Sequence, residues 1–273
     1  MSHASTMPTS ESGPPSSRAL FELAIFFALT LSASASLATL AYFSGDENIA
    51  FFIVFSPTLI AICLTAMTRG KAGVRELLIE QSRRRFKARW LLVSLLAIPA
   101  IAIVAIGLHA FFGGPALAFR TTQLMPQCVV ILLIALGEEF GWRGYALPRL
   151  QEHCGPLLAS LVLGLAWGFW HYPGYLIGVG VPLDMPFDVF LLWVLLATIL
   201  ITCIYNQTGN IWTAVALHAA ANATFNYLPL LPEFIGQLTT FLIFLALLSV
   251  VVVTVCPVRR SKTGRPIQKV TDI

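Results

Sequence analysis

VVILLIALGEEFGWRG, residues Val129–Gly144, runs nine apolar or small residues straight into two adjacent carboxylates, Glu138 and Glu139, with Arg143 one helical turn beyond. Carboxylates at the end of so apolar a run sit at or inside the hydrocarbon of a membrane. A charged side chain at mid-bilayer costs about 2.5–3.5 kcal/mol on insertion scales, so such residues are usually retained for function. What the two glutamates face decides how the chain is read.

Working outward, the 273 residues are 57% hydrophobic and 11% charged, against about 25% charged in soluble domains. The chain therefore reads as an all-α polytopic membrane protein. An apolar span needs about 20 residues. Eight are expected, at 20–43, 48–68, 90–112, 126–146, 156–178, 187–206, 210–228 and 234–256. The formal charge of +4 does not point to nucleic acid, because the basic residues cluster at membrane flanks. Cys63, Cys128, Cys154, Cys203 and Cys256 show no paired spacing and read as small hydrophobes. Residues 1–18, rich in Ser and Pro, read as a disordered tail without signal-peptide features. Residues 19–257 form the bundle, with a motif-bearing core at 126–228, and 258–273 are a basic tail.

Lys and Arg mark the cytoplasmic side of a membrane protein. The segment 69–89 holds Arg69, Lys71, Arg75, Arg83, Arg84, Arg85, Lys87 and Arg89, and the tail holds Arg259, Arg260, Lys262, Arg265 and Lys269. The opposite connections, at 45–48, around Arg120, at 181–186 and at 228–233, are poor in basic residues. Eight spans with both termini cytoplasmic satisfy this pattern. Val74, Leu77 and Leu78 fall at helical spacing within 71–88, which reads either as an interfacial amphipathic helix or as a solvated basic loop.

Three polar clusters lie inside the spans. Glu139 and Arg143 are i,i+4 and share a helix face, whereas Glu138 lies about 100° around the helix from Glu139. Gly137, Gly141 and Gly144 allow another helix to approach closely. His171 follows Trp167 by one turn, and Pro173-Gly174 is a place for a break or kink. His218 and Asn222 are i,i+4, with Asn226 on the same face. His109, alone in its span, reads as satisfied or interfacial. At 1.5 Å per residue, Glu138 lies about 20 Å inward from the outer end of its span, and His218 about 12 Å from the inner end of its own. Both then share a slab on the cytoplasmic side. His171, about 22 Å outward, comes out two turns too far unless the fifth helix starts near Leu150 and tilts.

Two carboxylates, two imidazoles, an amide and a guanidinium supply a base, polarising donors and a charge clamp, which is a hydrolase inventory. Glu138 can take a proton from water, His171 can orient that water, and His218 with Asn222 can donate to an oxyanion. Glu139 with Arg143 shapes the site. Glu138, His171 and His218 could instead ligate zinc, although no HExxH is present. A metal-free route is favoured. Two other classes compete: a non-proteolytic scaffold or immunity factor, and an ion or proton transporter, for which no inverted repeat is evident.

These residues resemble a known family. EEFGWR has the EExxxR form of the CAAX prenyl endopeptidase type II family, also called the CPBP or Abi intramembrane protease family. Trp167 to His171 resembles its FxxxH motif, with Trp where Phe is usual, so a large aromatic is kept; His218 to Asn222 resembles its HxxxN motif. The resemblance implies a membrane-embedded helical endopeptidase with its site inside the bundle and open to the cytoplasmic side. It implies that Glu138, His171, His218 and Asn222 are catalytic and that Glu139 and Arg143 support them. It implies a peptide or prenylated-protein substrate in contact with membrane lipid, or a part in bacteriocin maturation or immunity. The family is often called metalloprotease, while a metal-free glutamate mechanism is also proposed for it.

Overall fold

The computed structural model describes residues 17–119 and 124–256. Among these, eight long helices form one bundle: α1 Ser17–Ser44, α2 Asn48–Arg83, α3 Ala88–Phe111, α4 124–153, α5 Pro156–Leu176, α6 Phe187–Thr208, α7 Ile211–Tyr227 and α8 Thr239–Val255. A one-turn helix, Pro232–Ile235, lies between α7 and α8. Four of the eight, α1, α2, α3 and α6, are long and apolar enough to cross a membrane by length and composition. Many of their large apolar side chains face outward, as Leu92, Leu96 and Val104 do on α3. Burying these against lipid tails removes them from water, so the bundle is an integral membrane protein.

The eight helices coincide with the expected spans, with differences at α1, α2, α4, which runs on to His153, and α8, which starts only at Thr239. Ser17 and Arg18, placed in the tail, open α1. The rest of the 1–18 tail, the 258–273 tail and Arg120 lie outside the described residues. The basic segment is helical to Arg83, as an extension of α2 beyond a kink at Gly70, whose φ of 61° is left-handed. Leu77 is buried, and the Gln81 side chain donates to Gly144 O (3.0 Å), so this arm docks onto α4. Pro173 does not end α5, which runs to Leu176. His109 meets Thr240 Oγ1 through Nδ1 (2.7 Å), as a satisfied residue.

Two local devices position the polar clusters. The regular coil of α4 widens to i→i+5 turns over Phe140–Ala146, a segment buried throughout. Such turns occur mostly as single bulges, frequently at functional sites. Gly137 and Gly141 make this packing possible, since a Cβ at Gly137 would sit 2.7 Å from Val54 O and one at Gly141 would strike the backbone of Pro57. The start of α7 is fixed by Asn210, whose side chain accepts from Trp212 N (2.8 Å) and donates to Ser82 O (3.1 Å) and Arg84 O (2.6 Å). α7 packs against α3, α4 and α6, which sets His218 in the middle of the bundle.

Replacing Gly141 with Val drives three carbons into α2 and is expected to destabilise the bundle by about 1–3 kcal/mol. Thermal unfolding of the purified protein in detergent reads this directly, and an unchanged midpoint would show that α2 and α4 are not in close contact.

Candidate active site

Glu138 and Glu139 stand at the last regular turn of α4 before its widened segment, and being adjacent they point to different neighbours. Glu139, fully buried, faces the interior. Its Oε1 accepts from Arg143 Nη1 (2.8 Å) and meets His218 Nδ1 at 2.8 Å. An ionised carboxylate only accepts, so His218 donates from Nδ1–H, which leaves Nε2 as the ring's other functional nitrogen. Arg143 is also 0% exposed, and its guanidinium carbon lies 4.3 Å from the centre of the Trp167 ring. One negative and one positive charge are thus buried together, with an aromatic face against the cation.

Glu138, 2% exposed, turns instead into a cavity of about 420 Å³. Trp167, His171, His218 and Asn222 line the same cavity. The indole Nε1 of Trp167 donates to Glu138 Oε2 (2.6 Å), and the Trp167 carbonyl accepts from His171 Nδ1 (2.8 Å). His171 is further held by edge contacts with Trp170 and Phe190, at centroid distances of 4.7 and 5.1 Å. Glu138 Oε1 and His171 Nε2 are then the atoms left to bind a water. Asn222 sits one turn beyond His218, and Asn226 Nδ2 donates to its carbonyl (2.8 Å). Glu139 and Arg143 line no part of the cavity and lie behind it.

The expected mismatch in depth at His171 does not arise. α5 begins at Pro156, not near Leu150. The error lay in treating the fourth span as one bilayer thick from Met125. The 124–153 stretch is longer than a span, and Glu138 is near its middle, not toward its cytoplasmic end. Glu138 lies sixteen residues before Cys154 and His171 sixteen after Gly155, so the α4–α5 hairpin brings them level.

The zinc arrangement is not assembled. Among the described residues no three His, Cys, Asp or Glu side chains gather as ligands for one ion. Two features escaped the reading of the sequence. One is the His218–Glu139 contact, which joins residues 79 apart in the chain. The other is the indole N–H of Trp167, a donor that Phe at the same position would lack. Only the choice of Trp at that position signalled it.

With this geometry in place, residues 120–224 match the family model described as Type II CAAX prenyl endopeptidase Rce1-like, a range that contains all three motifs. The chain is similar to a curated protein of Methanococcus maripaludis named CAAX prenyl protease 2. The two are 29% identical over 144 residues, covering 48% of this chain and 53% of the relative. The chain thus aligns with about half the length of that relative.

The buried ion pair makes a stability prediction. Arg143→Met leaves Glu139 without its cation in the core and is expected to cost about 3–5 kcal/mol. Denaturant unfolding in detergent measures the loss. Arg143→Met combined with Glu139→Gln should recover part of it, and a double variant no better than the single one would contradict the pairing.

Proposed function

Since residues 120–224 carry the pattern of the Type II CAAX prenyl endopeptidases, we propose that this protein is an intramembrane endopeptidase. It hydrolyses a peptide bond near the membrane in a prenylated CAAX-type or other membrane-associated peptide. The observation that carries this reading is the convergence of Glu138, His171, His218 and Asn222, from α4, α5 and α7, on one cavity. The 19–257 bundle acts as a single unit, with 126–228 as its catalytic core.

In the reaction, a water sits between Glu138 Oε1 and His171 Nε2. His171 donates from Nδ1 to the Trp167 carbonyl, so its neutral ring offers the Nε2 lone pair to the water. Glu138 takes the water proton as the oxygen attacks the peptide carbonyl, then delivers that proton to the departing amine. The oxyanion forms beside the Asn222 amide and His218. His218 donates to Glu139 from Nδ1, so a second donation from Nε2 requires the doubly protonated ring, with Glu139 as counter-ion. Glu139 and Arg143 act on the peptide through His218 and Trp167, without touching it. The chemistry requires no metal from these residues, whose geometry does not offer an ion three ligands.

Glu138→Gln keeps the shape and the bond from Trp167 while removing the base, and is expected to lower cleavage of an internally quenched, farnesylated peptide by about 10²–10⁴-fold. Exhaustive chelation of divalent metals should leave the wild-type rate unchanged. Full activity in Glu138→Gln would remove the general-base role, and loss of activity on chelation, restored by zinc, would remove the metal-free one. Trp167→Phe deletes one hydrogen bond to a charged group and should cost about tenfold in kcat with KM little altered. Equal activity of the two chains would show that the indole N–H does not position Glu138.

A further inference from the structure

A second cavity, of about 330 Å³, shares no lining residue with the one that holds Glu138. The chain builds it by bending α2 back at Gly70 and docking the arm that follows onto α4. The elbow is tight, since a Cβ at Gly73 would sit 2.9 Å from Thr65 Cγ2. Gln81 secures the arm: it donates to Gly144 O (3.0 Å) and accepts from Tyr205 Oη (3.1 Å). Widened turns, at Glu76–Glu80 and Phe140–Ala146, contribute to both walls, and such turns are frequent at functional sites.

The lining is unlike that of the first cavity. Four guanidinium groups, from Arg18, Arg69, Arg84 and Arg149, surround it together with the carboxylates of Glu22, Glu76 and Glu152. Arg18 pairs with Glu22 and Arg69 with Glu76, but these two arginine side chains remain 69% and 50% exposed. Exposed pairs of this kind hold weakly, so either arginine can turn to a better acceptor. Arg84 spends one donor on Gly209 O (3.1 Å) and is otherwise exposed. Two hydroxyls in the wall point to a ligand. Thr65 is 2% and Tyr145 0% exposed, yet among the described residues neither Thr65 Oγ1 nor Tyr145 Oη has a hydrogen-bond partner. A buried hydroxyl without a partner is costly, and an acceptor inside the cavity would relieve both.

Guanidinium and hydroxyl donors around one small space suit an anion with several acceptor oxygens, a phosphate. The position of the cavity indicates what carries it. It lies between the start of α1, the elbow of α2 and the end of α4, where apolar spans give way to charge. Leu20 and Phe21 directly follow Arg18 and Ala19, Met67 precedes Arg69 by two residues, and all three apolar side chains are exposed. Lipid phosphates lie at this boundary, and basic pockets between spans take lipid headgroups.

We propose that the second cavity binds the phosphate group of an anionic membrane lipid. Arg69 and Arg84 meet its charge, and the Thr65 and Tyr145 hydroxyls donate to its oxygens. This site is independent of the peptidase reading.

The thermal unfolding midpoint of the full chain, held in a phosphate-free detergent, reports binding as ligand is added. Three probes separate the sources: dioctanoyl phosphatidate, dioctanoylglycerol, which has the tails alone, and glycerol phosphate, which has the headgroup alone. Phosphatidate should raise the midpoint saturably, and the other two far less. Thr65→Val combined with Tyr145→Phe keeps the shape and removes both hydroxyls. It should leave the midpoint without ligand unchanged or higher, and weaken phosphatidate binding about tenfold or more, as for lost hydrogen bonds to a charged group. If that variant does not fold, Arg69→Gln combined with Arg84→Gln, both at exposed side chains, should weaken binding to a similar extent. An equal shift from dioctanoylglycerol would show that only the tails bind. An equal shift from glycerol phosphate would make the ligand a soluble phosphate. Either result, no shift from any probe, or undiminished phosphatidate binding in the folded variant would overturn the proposal.

Discussion

Everything else in the bundle depends on how the charge of Glu139 is buried. A carboxylate in the middle of a membrane protein is tolerated only with partners in contact, and Glu139 Oε1 has two, Arg143 from its own helix and His218 from α7. Widened turns begin immediately after Glu139 and carry Arg143 and Trp142 inward together, against the aromatic side chains of α1 and α5. Trp167 then lies over the guanidinium and reaches Glu138 with its N–H. One ionic contact therefore fixes the relative height of α4, α5 and α7, the three helices that supply the site.

The same contact divides labour between the two glutamates. Glu139 is held through Oε1 by Arg143 and His218 and lines no part of the cavity, so it does not face a substrate there. Glu138 has one oxygen held by an indole and one facing the cavity. Neighbouring residues on one helix thus face different surroundings from the roughly 100° that separates them. The close approach of α2 behind them, through Gly137 and Gly141, keeps water from reaching Glu139 from the other side.

Much of this was legible in the sequence. Each of the eight apolar stretches falls on one of the eight long helices, because an apolar run in lipid must satisfy its own backbone hydrogen bonds, although α2 and α4 run well past their apolar stretches. The i,i+4 partners Glu139 with Arg143 and His218 with Asn222 were legible because a regular helix fixes them. Contacts between helices were not. No pattern within a helix shows that His218 meets Glu139 or that Trp167 donates to Glu138. Depth failed for a related reason: α4 is longer than a bilayer, so counting from one end misplaced Glu138 relative to His171.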